Sequence, residues 1–254
     1  MLIAITRKVN QNIGFCELTH LARERIDVDL AGVQHSQYEA CLAELGCEII
    51  SLPAEPDLPD SVFVEDTAIV LDEAAIITRP GVDSRRPETV SVARALKQYR
   101  ILYHIEPPGK VDGGDVLRIG KMFFIGLSVR TNEEGIEQIR SLLDQYVYTV
   151  EGVKVNGCLH LKSAVTQVAE NTLLINPAWV DERAFMGMDL IYIDPAEPFG
   201  ANALLVGDTV IYPAAYPGTK RRLESHGIPV KVVDVSELAK AEGGVTCCSL
   251  IFDK

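Results

Sequence analysis

Long apolar runs are missing from this 254-residue sequence: none exceeds the five residues from Met1 to Ile5. A membrane-spanning helix needs about 20, so a transmembrane helix is excluded and no membrane partner is expected. The start, from Met1 to Lys8, has no basic segment ahead of its apolar stretch and does not read as a signal peptide. Basic charge is scarce, with 24 Lys and Arg against 36 Asp and Glu and a net charge of −12. Nucleic acids and anionic lipids require a basic face, so neither is an expected partner, and a cationic small molecule fits better. The six cysteines include no C-x-x-C pair, which describes neither a disulfide framework nor a structural zinc site. No Ser/Gly linker or low-complexity tract divides the chain. These absences leave a cytoplasmic protein of one domain, residues 1–254, whose 47 % apolar content suffices for a sizeable core.

What is present is a recurring unit of two short apolar strands, a turn-rich stretch and an amphipathic helix. One copy runs through Val62–Val70 and Ala74–Thr78, then a helix from about Pro87 to Tyr99. Others pair Asp115–Ile119 with Met122–Gly126, Ser163–Val168 with Thr172–Pro177, and Asn202–Val206 with Thr209–Pro213. Thr131 is placed to cap the helix carrying Ile136, Ile139, Leu142 and Leu143, and another helix is expected around Lys220 to Ser225. The last strand, Cys247–Phe252, has no following partner, and Leu2–Ile5 can supply one before a helix from Gln37 to Leu45. Taking Asp66, Asp115, Ser163, Asn202 and Cys248 as equivalent points, the spacings are 49, 48, 39 and 46 residues. Units of this size imply a repeat architecture, and pairing of the terminal strands would close a ring and remove sheet edges. The competing reading is an ordinary α/β sheet with accidental spacing.

Several residues in these units could carry chemistry. Cys247 follows Gly243-Gly244, a pair that lets the backbone bend sharply before a terminal strand. It could be an accessible nucleophile or, more plainly, a small buried hydrophobe; Cys248 would point the other way along the strand. His160, with Cys158 and Lys162, would project from the polar side of a strand away from Leu159 and Leu161. It is a candidate acid or base, or a structural histidine. Asp112-Gly113-Gly114-Asp115 offers two carboxylates able to orient a histidine, or a simple tight turn. Glu65-Asp66 places two charges inside an apolar strand, and buried charge requires a partner. That partner is either a bound cation or a salt bridge to Arg79, Arg85 or Arg86. On a regular strand the two would point to opposite faces. Cys158-x-His160 and Cys247-Cys248 lack zinc-site spacing, so no functional metal is expected, although a Cys–His pair could take up zinc adventitiously. Cys247, His160 and the aspartates come from three units, each near a strand start facing the expected axis, as a nucleophile, base and orienting carboxylate require.

These segments, in order, resemble the dimethylarginine dimethylaminohydrolase family. The resemblance rests on Phe63-Val64-Glu65-Asp66, Ile77-Thr78-Arg79-Pro80-Gly81, Ser84-Arg85-Arg86, Asp112-Gly113-Gly114-Asp115-Val116, Gly126-Leu127-Ser128-x-Arg130-Thr131-Asn132, Leu159-His160-Leu161-Lys162-Ser163 and Thr246-Cys247-Cys248-Ser249. It implies a five-bladed α/β-propeller of ββαβ repeats with pseudo-fivefold symmetry and an active site at the central mouth. It also implies hydrolysis of asymmetric dimethylarginine, and of monomethylarginine, to citrulline and the methylated amine, through a covalent cysteine thiouronium and without a cofactor. By the same resemblance Cys247 is the nucleophile, His160 the general acid/base and Asp112 its carboxylate partner. Asp66 binds the guanidinium with Glu65 in support, Asp60 and Phe63 contact substrate, and Arg85 and Arg130 hold the substrate α-carboxylate. Leu18 falls in a loop covering the pocket, and the main chain near Ala241 and Glu242 meets the amino-acid end. A related arginine deiminase-like hydrolase releasing ammonia is the alternative, and a homodimer is left open.

Overall fold

A computed structural model describes all 254 residues, Met1–Lys254. The chain forms five separate three-stranded sheets, and no sheet closes on itself. Four are built alike. A strand turns back into an antiparallel middle strand, and a connecting segment then returns the chain as a third strand parallel to the middle one. These sheets are β3 (Ala68–Val70), β4 (Ala74–Ile77) and β5 (Ile101–His104); β6 (Val116–Ile119), β7 (Met122–Leu127) and β8 (Thr149–Lys154); β9 (Val165–Ala169), β10 (Thr172–Ile175) and β11 (Asp189–Tyr192); and β12 (Leu204–Val206), β13 (Thr209–Pro213) and β14 (Val230–Val233). In the fifth, the hairpin is replaced by the chain ends. β1 (Leu2–Arg7) is the middle strand, paired antiparallel with β15 (Leu250–Asp253) from Leu2 opposite Asp253 to Ile5 opposite Leu250, and parallel with β2 (Glu48–Leu52). The terminal pairing expected from sequence is therefore present.

Helices make three of the parallel crossovers and α1 makes the one from β1: α1 (Val28–Glu44), α2 (Thr89–Leu96), α3 (Glu133–Asp144) and α5 (Pro217–Ser225), with the short α4 (Leu161–Ala164) and α6 (Ser236–Ala239) elsewhere. The β10–β11 crossover has only a 3-10 turn, Glu182–Phe185. Two helix expectations need correction. α1 begins nine residues before Gln37, capped by the Asp27 carboxylate accepting from the Leu30 N–H. Its early turns were hidden because the buried face carries polar Gln34 and His35 beside Ala31 and Tyr38. The cap of α3 is Asn132, which accepts from the Gly135 N–H, and the Thr131 hydroxyl is instead bonded to Asp115.

The period of two along each middle strand explains how five sheets share cores. Ile3 and Ile5 of β1 join Ala75 and Ile77 of β4, whereas Ala74 and Ile76 face Phe123 and Ile125 of β7. Phe124 on the other face of β7 meets Leu173 and Ile175, Leu174 meets Val210 and Tyr212, and Ile211 meets Ala4, Tyr38 and Leu42. Successive residues of one strand thus enter two different cores, and the succession of five cores returns to the first sheet.

A second correction concerns the start of four inner strands, β3, β6, β9 and β15. Glu65 and Asp66 lie in a 3-10 turn, Val64–Thr67, and β3 begins only at Ala68. Gly113–Asp115 is a 3-10 turn before β6, His160 is the N-cap of α4 before β9, and Cys247 and Cys248 lie in a turn before β15. The chain is coiled where the sequence suggested extended strand, so polar residues project together instead of alternating between faces.

Candidate active site

Those turns bring residues of several sheets to one place. In the Val64–Thr67 turn the Glu65 N–H donates to the Cys247 carbonyl (3.1 Å), which ties the turn before β3 to the turn before β15 of another sheet. Glu65 and Asp66 have separate partners. The Glu65 carboxylate accepts from Lys162 Nζ and, at 2.9 Å, from the Thr246 hydroxyl. Asp66 accepts from Arg85 Nη1 at 2.7 Å and from the Gly114 N–H at 2.9 Å. Burial works against charge on both carboxyls. Beside Glu65 it prevails and raises the pKa, whereas His160 and Arg85 hold Asp66 well below the usual carboxylate range.

His160 is buried, with Nε2 3.0 Å from Asp112 Oδ2 and 4.0 Å from Asp66 Oδ1. Gly114 is what permits this approach: a Cβ there would stand 2.5 Å from His160 Nδ1. Burial disfavours the imidazolium, but the Asp66 charge, then the Asp112 hydrogen bond and Asp115, outweigh it and raise His160 to about 9. Of the two aspartates the sequence left open as orienting groups, Asp112 is the one in contact. Asp115 is bound by the Ser128 and Thr131 hydroxyls and the Leu161 N–H, and burial lifts it to about 6.

Cys247 is partly exposed and Cys248 is buried in the core. The Cys247 thiol accepts weakly from the Gly244 N–H at 3.3 Å and is pushed up to about 12, by burial first and then by the Glu65 and Asp66 charges. It borders a cavity of about 240 Å³ whose walls include Leu159, Phe199, Asn202, Tyr216 and Glu242.

The remaining sequence-named residues surround this centre. Arg85 is buried between Asp66 and Glu88, its Nη2 2.9 Å from Glu88 Oε2. This is one of the salt bridges the sequence offered for the acidic pair. Arg130 Nη1 lies 3.4 Å from Asp112 Oδ2. Asp60 is buried and accepts from the Glu17 N–H at 3.1 Å; the Phe63 carbonyl accepts from Arg85, and its ring lies where a Cβ on Gly243 would fall. Leu18 is half-buried against the core, Ala241 is buried, and the Glu242 carboxylate accepts from the N–H groups of Thr19, His20 and Leu21. Asp66, Asp112 and His160 present ligand atoms all within 4.8 Å of one another, the spacing of a divalent-cation site. Arg85 and Arg130 already neutralise the two carboxylates there, so a metal would have to displace a guanidinium.

Four participants escaped the sequence reading as site residues. Lys162 and Thr246 hold Glu65, and Asn202 in turn accepts from the Thr246 N–H at 3.2 Å and donates to its hydroxyl at 3.0 Å. Lys162 carried one available signal, its place two residues from His160 in the same motif. Glu88 carried another, three residues after Arg85.

A buried histidine bound to one carboxylate and bordering a second, next to a paired acidic turn whose backbone bonds the Cys247 carbonyl, fits the class of guanidino-modifying hydrolases, and the similarities to known proteins place the chain in it. The arginine deiminase family model matches residues 53–199. The chain is 38 % identical over 221 residues to the N(G),N(G)-dimethylarginine dimethylaminohydrolase of Pseudomonas aeruginosa, covering 86 % of this chain and 87 % of that protein. It is 35 % identical over 249 residues to the enzyme of that name from Streptomyces coelicolor, covering 97 % and 95 %. The structure of a Cys-to-Ser variant of the Pseudomonas aeruginosa protein complexed with citrulline superposes with a TM-score of 0.93 at 34 % identity, covering 98 % of each chain. The chain belongs to the dimethylarginine dimethylaminohydrolase family of the pentein superfamily.

Proposed function

We propose that the protein hydrolyses asymmetric dimethylarginine, and monomethylarginine, to citrulline and dimethylamine or methylamine. The observation that carries this reading is Asp66, the one carboxylate that lies 4.0 Å from His160 and also bears on the Cys247 thiol. Its relatives' activity and the citrulline-bound neighbour support the same reaction.

In this reading Asp66, backed by Glu65, receives the substrate guanidinium and fixes its plane. A guanidinium carbon is a poor electrophile because its charge is shared by three nitrogens, so the nucleophile needs to be a thiolate. The Cys247 thiol is protonated at neutral pH, and a cation held beside it favours its ionisation. As the substrate binds, the Cys247 thiol gives its proton to solvent, because His160 is already protonated, and the resulting thiolate attacks the central carbon. His160, oriented by Asp112, gives its proton to the departing dimethylamine as the carbon–nitrogen bond breaks, which leaves a thiouronium on Cys247. Water then adds to the same carbon, His160 accepts a proton from it, and the carbon–sulfur bond breaks to release citrulline. Arg85 and Arg130 are assigned to the substrate α-carboxylate, Asp60 and Phe63 to contacts along the substrate, the Ala241 and Glu242 main chain to its amino-acid end, and Leu18 to the covering loop. No step calls for a cofactor.

The finer architecture follows the same line. We read the five sheets as the blades of one five-bladed α/β-propeller, residues 1–254, and the cyclic succession of cores supports this. Six free thiols fit a reducing cytoplasm.

The test is to incubate the protein with asymmetric dimethylarginine and measure citrulline and dimethylamine. Absence of both overturns the reading. A comparison of kcat/KM for arginine, monomethylarginine and dimethylarginine separates it from an arginine deiminase-like activity, for which arginine would lead and ammonia would be released.

A further inference from the structure

Residues 16–27 run without helix or strand between the turn Ile13–Phe15 and α1, and Thr19, His20 and Leu21 are exposed. Their three consecutive backbone N–H groups converge on one carboxylate. Glu242 accepts from Thr19 at 3.1 Å to either oxygen, and its Oε1 accepts from His20 at 2.5 Å and from Leu21 at 2.7 Å. Such a run of amides around an anion is a strong local clamp. Glu242 has φ +59°, one of only two non-glycine residues of the chain in the left-handed region. That conformation is sparsely populated and persists where the surroundings impose it.

The clamp is joined to the catalytic centre by side chains. Arg130 Nη2 donates to the Thr19 hydroxyl at 3.1 Å, and its Nη1 lies 3.4 Å from Asp112 Oδ2. That same oxygen is 3.0 Å from His160 Nε2. Arg130 is 4 % exposed, so its guanidinium has no solvent to turn to if the Thr19 contact is lost. Its remaining side-chain partner is then the oxygen on which His160 depends.

His20, Leu21 and Glu242 line the same cavity as Cys247. We propose that Glu242 and Thr19 are positioning residues: the Glu242 carboxylate clamps the loop at the wall of the Cys247 cavity, and the clamped Thr19 hydroxyl holds Arg130 so that Asp112 keeps His160 oriented. Loop closure and the working pose of the general acid/base are then one event. The inference rests on the reading of His160 and Asp112 given under Proposed function and adds two residues to it.

Two variants test it. Glu242→Gln weakens the clamp; amide exchange at Thr19, His20 and Leu21 and alkylation of Cys247 by iodoacetamide are expected to accelerate by about tenfold. Thr19→Val leaves the clamp in place and removes the hydroxyl; kcat is expected to fall by about tenfold, KM to rise as well because Arg130 also meets the substrate carboxylate, and Thr19→Ser to restore both. Thr19 is exposed, so neither of its variants threatens folding. Unchanged exchange and alkylation in Glu242→Gln overturns the clamp, and wild-type kcat in Thr19→Val overturns the relay. If the wild-type protein releases no citrulline, the functional reading itself falls and the relay with it, while the clamp is still decided by exchange and alkylation.

Discussion

The Nε2 of His160 lies 3.0 Å from the Oδ2 of Asp112, and the imidazole it belongs to has its pKa raised from 6.5 to about 9 in the face of burial that alone would lower it. A raised folded-state pKa means the folded protein holds its proton more tightly than the unfolded chain does. The stabilisation is complete below the unfolded value near 6.5 and is lost as pH rises through about 9. Urea denaturation of wild type and His160→Gln across that interval is expected to give a stability difference that declines with pH, by at most about 3 kcal/mol at 1.36 kcal/mol per pKa unit. A difference independent of pH would show that the aspartates do not hold the proton.

Cys247 and His160 thus start a catalytic cycle as thiol and imidazolium, not as a ready thiolate. Alkylation of Cys247 by iodoacetamide at pH 7 to 8 is therefore expected to be slow and to climb with pH up to the most alkaline value the fold survives. Burial and the Glu65 charge both oppose the thiolate, so Glu65→Gln is expected to speed alkylation at a fixed pH. A rate that levels off near neutrality would contradict the assignment.

Replacing the nucleophile gives a separate test. Cys247→Ser is expected to lose turnover by at least about a thousandfold, while affinity for dimethylarginine, measured calorimetrically, stays within about tenfold because Asp66, Arg85 and Arg130 are untouched. Citrulline release by this variant at more than a few per cent of wild type would remove Cys247 from the chemistry.

The turn Gly113–Asp115 separates folding from catalysis within two adjacent residues. A Cβ on Gly113 would stand 1.9 Å from the Glu65 carbonyl oxygen, which is backbone and cannot yield cheaply. A Cβ on Gly114 would meet the His160 ring at 2.5 Å and Asp66 Oδ1 at 2.9 Å, both side-chain atoms. Gly113→Ala is accordingly expected to lower the melting temperature by several degrees or to prevent soluble expression. Gly114→Ala is expected to fold and to lose about a hundredfold in kcat by displacing His160. The reverse pattern, measured by thermal denaturation and citrulline assay, would contradict the placement of the ring.

The same turn marks the boundary of what could be read from sequence. The middle strands were legible as short apolar runs because each buries both faces among apolar neighbours, as was the pairing of Leu2–Ile5 with the chain end. The inner-strand starts were not legible. Val62, Phe63 and Val64 are apolar like a strand, yet the backbone there coils because its partners are remote: Cys247 bonds the Glu65 N–H, Lys162 and Thr246 its side chain, and Arg85 its neighbour Asp66. Local propensity carries no record of such contacts. In the site, Cys247, His160 and Asp112 stood out through residue type and ordered motifs. Thr246 and Asn202 did not, since a hydroxyl and an amide become informative only once Glu65 is seen to need them.

Arg85 brings stability and function into competition at one residue. It is buried with Nη1 2.7 Å from Asp66 and Nη2 2.9 Å from Glu88, and burial has already lifted Glu88 to about 7 against the pull of Arg85. Removing the guanidinium leaves buried Glu88 without a counter-charge and Asp66 with His160 alone, a loss typically of about 3–5 kcal/mol. Arg85→Met is therefore expected to lower the urea midpoint strongly at pH 7.5 and less at pH 5.5, where Glu88 is protonated and no longer demands a partner. The double variant Arg85→Met/Glu88→Gln is expected to recover a large part of the stability, because the two changes share one interaction and do not add. It is not expected to recover the KM for dimethylarginine, because the substrate carboxylate still lacks its guanidinium. Recovery of KM together with stability would reduce Arg85 to a structural ion pair and leave Arg130 as the sole carboxylate anchor.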